Sequence, residues 1–344
     1  MSEQPNVVVT AALEAVSSGQ DLSAEQTAEV LREIMAGEVA QTQIAGFLMA
    51  LRTKGETVDE LTGLASAMRA LALRVHARAE NLLDTAGTGG GRRSFNVSTT
   101  AALIAAGAGC FVAKHGNRSA TSLSGSADLL EALGARIDLE PDDVARCIDE
   151  AGFGFMFAPA HHRATRTVVG VRRELAVRTI FNFLGPLTNP AGASRQLIGV
   201  SDARYLERMA GALAQLGVDR ALVAAAEDGL DEISAAAPTR IVEVNGTEIV
   251  TYIVSPEELG VRGGQGVLPP GGTPQENALL ARAVLDGEPG GARELALVNA
   301  GAAIYAAGAA ESIADGVEIA RVAVDDGRAK LALERFIAAT LQAS

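Results

Sequence analysis

The chain has 344 residues, of which 48% are hydrophobic and 21% are charged, so its composition indicates a globular protein and excludes a disordered one. Its formal net charge is -13 at pH 7, and it contains no Trp and three Tyr. Nucleic-acid-binding proteins are usually basic and often stack bases on aromatic rings, so this class is disfavoured. A phosphorylated ligand would need local cations or a divalent metal ion in so acidic a protein.

The first 75 residues carry signals for helices alone. Ser23 with Gln26, and Thr57 with Glu60, have the spacing of capping boxes. Between them, apolar residues repeat at helical spacing over 44–51. We therefore predict a small helical domain at this end of the chain.

From residue 81 onward, short β-branched segments alternate with helical ones. The clearest predicted strands cover 153–158, 196–200 and 221–225, and Asn245-Gly246 between two β-rich runs marks a hairpin. The last seventy or so residues return to helices. This alternation predicts an α/β domain with a largely parallel sheet.

A glycine-rich loop follows the first predicted strand. Residues 87–93 read Gly-Thr-Gly-Gly-Gly-Arg-Arg, and a hydroxyl-rich segment then leads into an Ala-rich helix. Such a layout offers backbone N–H groups and a helix N-terminus to an anion. No Lys-Ser or Lys-Thr pair closes the loop, and Arg92 stands where a dinucleotide fingerprint has its last glycine, so neither well-known phosphate loop is present. A plain N-cap at Ser98 or Thr99 is the alternative for either residue alone.

A second polar loop reads Lys-His-Gly-Asn-Arg-Ser at 114–119 and continues through the Ser- and Gly-rich residues 122–128. Its cations, hydroxyls and amide suit a phosphate and a polar ring better than a core. If the helix before it is an ordinary parallel crossover, a strand at 111–113 brings Lys114 to the same sheet edge as the glycine loop. Both loops would then face one crevice, whereas the alternative is a solvated surface loop.

Two further segments carry candidate chemistry. Asp231 and Glu232 follow a predicted strand and supply oxygen ligands suited to Mg²⁺, although acids at the start of a helix are an equal alternative. Arg172 could bind a carboxylate in bidentate fashion, or form a surface salt bridge. For His161 and His162, surface or capping roles compete with catalysis.

The remaining signals concern compartment. Cys110 and Cys147 lack a CxxC spacing, and we expect buried free thiols. No signal peptide or membrane-spanning stretch is evident, so a cytoplasmic protein is expected.

Taken together, these segments resemble the anthranilate phosphoribosyltransferase family. The matching pieces occur in the family's order: GTGG at 87–90, FNVST at 95–99, KHGNRS at 114–119, SGSADLLEALG at 124–134, VRRELAVRTIFNFLGPLTNPA at 171–191 and GLDEIS at 229–234. The likeness extends over essentially the whole chain. The combination of KHGN, LGPLTNP and GLDE is highly specific.

The resemblance implies a glycosyltransferase of the pentosyltransferase type, acting in the second step of tryptophan biosynthesis. It would transfer the phosphoribosyl group of phosphoribosyl pyrophosphate (PRPP) to the amine of anthranilate, with Mg²⁺ as cofactor, and release pyrophosphate. The implied fold is α/β, a small all-helical domain plus a larger α/β domain with a mostly parallel central sheet. The helical domain covers residues 1–75, with 174–192 expected to return to it, and the larger domain covers 76–173 and 193–344. A homodimer is also implied.

The resemblance also assigns site residues. PRPP would be bound by Gly87, Gly90, Gly91, Ser94, Asn96, Val97, Ser98, Thr99, Lys114, Ser119, Ala120, Thr121 and Ser122. Anthranilate would be bound by Gly87, His115, Asn117 and Arg172, and the metal by Ser98, Asp231 and Glu232. No residue is assigned as a general base, because an aromatic amine attacking an oxocarbenium-like carbon can lose its proton late.

The chain departs from the family's pattern in the glycine loop. The family usually has GTGGDG and one more residue before the Phe-Asn step, whereas residues 87–94 are shorter and lack the Asp. We expect a changed Mg²⁺ dependence rather than lost activity. The alternatives are a pyrimidine-nucleoside-phosphorylase-like enzyme and a non-catalytic, nucleic-acid-binding relative of the same fold.

Overall fold

A computed structural model describes residues 4–119, 123–261 and 270–343 of the chain. Three of the residues predicted to bind PRPP, Ala120, Thr121 and Ser122, lie outside the described residues.

The chain begins with a bundle of helices. They are α1 Val7–Ser17, α2 Ala24–Ala36, α3 Gln41–Lys54 and α4 Val58–Leu71. Both predicted capping boxes are present: Ser23 and Gln26 cap α2 reciprocally, and Thr57 and Glu60 do the same for α4. The helical character predicted for this end of the chain is confirmed.

The described residues form one seven-stranded sheet with the order β3-β2-β1-β4-β5-β6-β7. Its strands are β1 Leu83–Gly87, β2 Val112–Gly116, β3 Phe153–Phe157, β4 Arg195–Gly199, β5 Arg220–Ala226, β6 Thr239–Asn245 and β7 Glu248–Val254. The first five strands are parallel, and β6 and β7 add the predicted antiparallel hairpin with Asn245 and Gly246 at its turn. The prediction of a mostly parallel central sheet is confirmed.

Helices cover the sheet and complete the chain. They are α5 Val97–Gly107, α6 Ser126–Ala132, α7 Pro141–Ala151, α8 Ala158–His161, α9 Arg166–Leu175, α10 Phe181–Leu187, α11 Leu206–Gln215, α12 Pro274–Leu285, α13 Gly291–Ala306, α14 Ile313–Asp325 and α15 Arg328–Leu341. Because α5 connects β1 to the parallel neighbour β2, the crossover assumed for the two polar loops is present.

The sheet lies between two apolar cores. Leu197 and Leu222 belong to the core formed with α5 and α13, whereas their neighbours Ile198 and Val223 belong to the core that includes α2, α3 and α4. Alternation along a strand sends successive side chains to opposite faces, so one face of the sheet shares its core with the N-terminal bundle. This packing places the bundle against that face of the sheet.

Two smaller expectations concern cysteines and membranes. Cys110 and Cys147 are buried and unpaired, and burial raises the pKa of each thiol to about 11. Over the three described ranges, no helix combines the length and apolarity required to cross a membrane.

Candidate functional site

The two polar loops face a single cleft at the carboxyl ends of the parallel strands. Its volume is about 540 Å³, and the loops after β1 and β2, α9 and the acidic segment after β5 all contribute to its lining. The predicted site residues that the structure describes all line it: Gly87, Gly90, Gly91, Ser94, Asn96, Val97, Ser98, Thr99, Lys114, His115, Asn117, Ser119, Arg172, Asp231 and Glu232. The expectation of one shared crevice is therefore confirmed.

The acidic segment reaches the glycine loop by crossing the end of β4. A Cβ on Gly199, the last residue of β4, would lie 1.6 Å from the Asp231 carbonyl oxygen, so only glycine permits the crossing. The Gly89 N–H then donates to Asp231 Oδ2 at 2.9 Å. Cβ atoms on Gly87 and Gly91 would lie 2.9 and 2.8 Å from the same carboxylate. The glycines are thus required where the backbone approaches Asp231.

Lys114 lies fully buried at the floor of the cleft. Its side chain is 1% exposed, and its ammonium donates to the Thr85 carbonyl oxygen and, at 3.4 Å, to Ser98 Oγ. Burial lowers the pKa of Lys114, while the carboxylates of Asp84 and Glu232 oppose that shift. Lys114 therefore bonds Thr85 of β1 and Ser98 of α5, and its charge lies near the carboxylates of Asp84 and Glu232.

Asp231 and Glu232 form a pair of carboxylates, of which Glu232 is buried and Asp231 is half-buried. Burial raises the pKa of Asp231, and it raises the pKa of Glu232 well above its ordinary value, with the neighbouring Asp231 adding to the shift. Lys114 and a backbone hydrogen bond from Ser98 oppose the shift of Glu232. No helix starts here: residues 227–238 are turns and bends, so the helix-start alternative is wrong.

The oxygen atoms of these side chains could ligate a magnesium ion. Two adjacent carboxylates and the Ser98 hydroxyl offer hard oxygen atoms, and a cation would relieve the cost of burying like charges together. Within the described ranges, no group of three or more His, Cys, Asp or Glu side chains could hold a metal. An ion at this position would complete its shell with substrate and water oxygens, as Mg²⁺ commonly does.

The start of α5 differs from the alternative in which Ser98 or Thr99 is the N-cap. Its N-cap is Asn96, not Ser98 or Thr99, and the Asn96 side chain makes no capping hydrogen bond. Asn96 instead accepts from Ser124 Oγ at 3.1 Å and from Asn277 Nδ2 at 2.8 Å. Asn96 thus ties the glycine loop to the second polar loop and to α12, which are contacts distant in sequence, and neither Ser98 nor Thr99 is the N-cap.

His115 is held as a neutral side chain beside the cleft. Its Nδ1 lies 3.1 Å from the Gly185 carbonyl oxygen, which can only accept, so Nδ1 carries the proton and Nε2 is an acceptor. Nε2 is buried and has no hydrogen-bond partner among the described residues. Burial lowers the pKa of His115 well below its ordinary value, and His162 nearby adds to the effect.

His161 and His162 do not have the surface or capping roles that compete with catalysis in the sequence. They are 1% and 5% exposed, and their ring nitrogens bond the carbonyls of Leu73 and Thr188 at 3.0 and 3.1 Å. They brace the connection between β3 and α9.

Arg172 projects from α9 into the other side of the cleft. Its guanidinium lies 5.3 Å from the centre of the Phe181 ring, and burial lowers its pKa. The Arg172 guanidinium makes no ion pair or hydrogen bond with any residue that the structure describes, so the surface salt-bridge alternative is not observed. A partly desolvated, uncommitted guanidinium is suited to a carboxylate ligand.

Sequence reasoning gave no role to Arg178 and Asn182, which also line the cleft. Arg178 donates to Ser201 Oγ at 2.6 Å and lies against the glycine loop. By contrast Arg118, counted among the phosphate-facing cations, forms ion pairs with Asp128 and Glu131. No local motif signals either arrangement.

Comparison with known families assigns the two parts of the chain. Residues 10–72 match the helical bundle domain of the glycosyl transferase family, and residues 79–330 match its a/b domain.

Individual relatives extend over nearly the whole chain. Proteins named anthranilate phosphoribosyltransferase from Symbiobacterium thermophilum and Rubrobacter xylanophilus are 50% and 51% identical, each covering 95% of this chain and 96% of the relative. The crystal structure of the enzyme of that name from Thermus thermophilus is 45% identical and superposes with a TM-score of 0.90, covering 96% of this chain and 99% of its own. One from Saccharomyces cerevisiae, solved in complex with PRPP and Mg, is 24% identical with a TM-score of 0.87 over 98% of each chain and supports the fold.

Proposed function

This chain belongs to the anthranilate phosphoribosyltransferases of the glycosyl transferase family, and we propose that its cleft joins the phosphoribosyl group of PRPP to the amine of anthranilate. The reaction forms a bond between C1 of the ribose and the amine nitrogen and breaks the bond to pyrophosphate. It is the second step of tryptophan biosynthesis.

One observation carries the proposal: groups suited to phosphates and groups suited to a carboxylate line the same cleft. The glycine loop, Lys114 and the acidic pair make up the first set, and Arg172 with Asn117 makes up the second. The transfer builds negative charge on the leaving pyrophosphate and positive charge on the ribose. A site that positions both substrates and stabilises those charges is sufficient for the chemistry.

On the phosphate side, the glycine loop presents backbone to the pyrophosphate of PRPP. A Cβ on Gly90 would meet Arg178 and one on Gly91 would meet Asp231, so the loop comes close to both residues, and Val97, Ser98 and Thr99 form the first turn of α5, whose N-terminus favours an anion. Lys114, in β2, and Ser119, in the loop that follows β2, also line the cleft and hold the ribosyl phosphate.

On the acceptor side, Arg172 binds the carboxylate of anthranilate and Asn117 contacts the same substrate. His115 is neutral, so its Nε2 lone pair can accept a hydrogen bond without adding a further cation to the cleft. No general base is required, because the anilinium formed by attack on an oxocarbenium-like carbon is strongly acidic.

Asp231, Glu232 and Ser98 hold Mg²⁺, the cofactor. When bound, the ion neutralises charge that develops on the leaving pyrophosphate. Burial raises the pKa of both acids, and the Asp231 charge adds to the shift of Glu232; a cation beside them would offset both effects, which supports this assignment.

The assembly remains a proposal as well. We expect residues 1–75 with 174–192 to form the helical unit, and the shared core of α2 to α4 with Phe181 and Leu184 supports this division. Residues 76–173 and 193–344 form the larger unit. A cytoplasmic homodimer that binds no nucleic acid is consistent with the net charge of -13. The nucleoside-phosphorylase alternative does not need the buried acidic pair.

The decisive experiment follows the loss of anthranilate fluorescence on mixing the protein with PRPP and Mg²⁺. We expect turnover that needs all three components. The double variant Asp231→Asn, Glu232→Gln keeps side-chain volume but removes both charges, and its turnover should fall by at least about 10²-fold, as for loss of transition-state charge stabilisation. A folded wild type that binds PRPP but leaves anthranilate unchanged would refute the acceptor assignment.

A further inference from the structure

Arg178 makes a set of contacts that the proposed chemistry does not use. It lies in the connection between α9 and α10, and its two terminal nitrogens donate to different partners: Ser201 Oγ at 2.6 Å and the Thr88 carbonyl oxygen at 3.4 Å. Ser201 Oγ donates in turn to the Gly89 carbonyl oxygen at 2.9 Å. The Thr88 carbonyl thus bonds the Arg178 guanidinium directly, and the next carbonyl, that of Gly89, is linked to it through Ser201.

These contacts determine where the loop's N–H groups point. The described chain has no cis peptide, and in a planar trans peptide the N–H points opposite to the C=O. The carbonyl of Thr88 faces Arg178, and the N–H of the same peptide donates to Asp231. The carbonyl of Gly89 faces Ser201, so the Gly90 N–H points away from it; this N–H has no protein partner among the described residues, and Gly90 lines the cleft.

The glycine loop is also fitted to Arg178 sterically. Gly90 adopts φ +78°, and a Cβ there would lie 2.7 Å from Arg178 Nη1. The loop and the guanidinium therefore touch with no room for a side chain between them.

Arg178 itself is fixed from the opposite side. Its guanidinium lies 5.5 Å from the centre of the Phe183 ring, which stacks on Tyr205 at 3.9 Å. The Tyr205 hydroxyl donates to the buried Glu56 at 2.6 Å, and Arg52 of α3 donates to the Arg178 carbonyl oxygen at 2.8 Å. The N-terminal bundle thus supports the residue that orients the loop.

We propose that Arg178, acting directly and through Ser201, is a positioning residue that aims the backbone N–H of Gly90 in the glycine loop at the pyrophosphate of PRPP. This inference rests on the proposed function. It assigns Arg178 a geometric role, because each of two forked donors has a separate acceptor in the protein. A lysine has the charge but cannot reach both acceptors in the same way.

The test compares Arg178→Lys, Arg178→Gln, Ser201→Ala and the double variant Arg178→Gln, Ser201→Ala. The readouts are calorimetric affinity for PRPP with Mg²⁺, the KM of each substrate, kcat and the thermal unfolding midpoint. We expect both Arg178 variants to lose about tenfold or more in PRPP affinity, with little change in the KM of anthranilate. The double variant should lose less than the product of the two single losses.

Arg208→Gln is the matched control. Arg208 lies 5.4 Å from the centre of the same Tyr205 ring but makes no hydrogen bond with the glycine loop among the described residues. It should retain wild-type affinity and KM values.

Three results would overturn the inference while leaving the proposed function intact: wild-type PRPP affinity in Arg178→Gln, full rescue by Arg178→Lys, or strictly multiplicative losses in the double variant. Rescue by lysine would mean that the charge acts directly on phosphate. A folded wild type that neither binds PRPP nor consumes anthranilate would overturn both proposals together.

Discussion

At the scale of single residues, Arg172 shows how an acidic protein can bind an acidic acceptor. The guanidinium is half-buried, stacked over Phe181 and committed to no carboxylate within the described residues. Desolvation makes the charged group costly until an anion arrives, so a carboxylate ligand is bound more strongly here than at an exposed arginine.

Arg172→Gln should therefore weaken anthranilate selectively. Loss of a charge-assisted, bidentate contact is worth about 1.5–3 kcal/mol, so we expect the KM of anthranilate to rise on the order of 10- to 10²-fold. The KM of PRPP should change little, and initial-rate kinetics with each substrate varied in turn measures both constants.

Arg173→Gln is the control for this prediction, because Arg173 is the next residue on α9 and is exposed outside the cleft lining. Equal effects of the two substitutions would show that α9 contributes general positive charge. A rise confined to the KM of PRPP would contradict the assignment of Arg172.

The residues that could be predicted were those whose chemistry is concentrated along the chain. Lys114 and Asp231 stand in polar runs that core packing does not explain, and they do line the cleft. Arg178 was missed because Ser201 and Thr88, the partners that define it, are brought together only by the sheet. The role of Gly199 was missed for the same reason: a side chain there would clash with Asp231, in the segment after β5 that crosses the end of β4.

At the scale of elements, the shortened glycine loop brings basic residues against the acidic segment. The Arg92 N–H donates to the Gly229 carbonyl oxygen at 2.7 Å, and its side chain pairs with Asp228 at 3.3 Å. The Arg92 side chain is 50% exposed, so the ion pair contributes little stability, and the backbone contact holds the loop. The loop that lacks the family's Asp therefore lies on the acidic segment after β5, with Arg92 at the contact.

Inserting an Asp after Gly90 should alter the Mg²⁺ dependence of turnover. A third carboxylate beside Asp231 and Glu232 attracts the cation more strongly, so the Mg²⁺ concentration for half-maximal rate should fall. Turnover at fixed PRPP over a Mg²⁺ titration measures this.

An Asn inserted at the same position is the matched control, since it restores loop length without charge. If the Asn and Asp insertions shift the titration equally, loop length is responsible. If neither shifts it, the missing acid has no bearing on the metal.

Elements were predicted best where local signals and tertiary packing agree. The capping boxes of α2 and α4 and the Asn245-Gly246 turn depend on neighbours within a few residues, and all are present. At the start of α5, the N-cap residue Asn96 bonds Asn277, far along the chain, and the alternative of an N-cap at Ser98 or Thr99 is not observed.

At the scale of the whole molecule, the sheet joins two cores, and three buried histidines lie near the junction. His115, His161 and His162 bond carbonyls of Gly185, Leu73 and Thr188, in segments that connect the helical bundle to the sheet. Burial lowers the pKa of each. The burial of these histidines could not be predicted from the sequence, because the bundle and the sheet face share a core only after folding.

These histidines should make the fold less stable in mild acid. The pKa of His162 falls from 6.5 to about 4 in the folded protein, so the unfolded chain binds a proton between those values that the folded protein does not. The contribution of neutral His162 to the free energy of unfolding is complete above pH 6.5 and decreases as the pH falls toward 4. Asp84, Asp231 and Glu232 act in the opposite sense, because their raised pKa values let the folded protein take up protons first.

A difference measurement isolates the histidine contribution from these acids. His162→Gln keeps a donor for the Thr188 carbonyl oxygen but cannot titrate. Between about pH 6 and 4.5 the free energy of unfolding of the wild type should fall relative to the variant by up to roughly 1.4 kcal/mol per pH unit, the value for one proton. Urea denaturation at half-unit pH steps measures both curves. Parallel curves would mean that His162 is as easily protonated in the folded protein as in the unfolded chain, and that the junction between bundle and sheet is open to water.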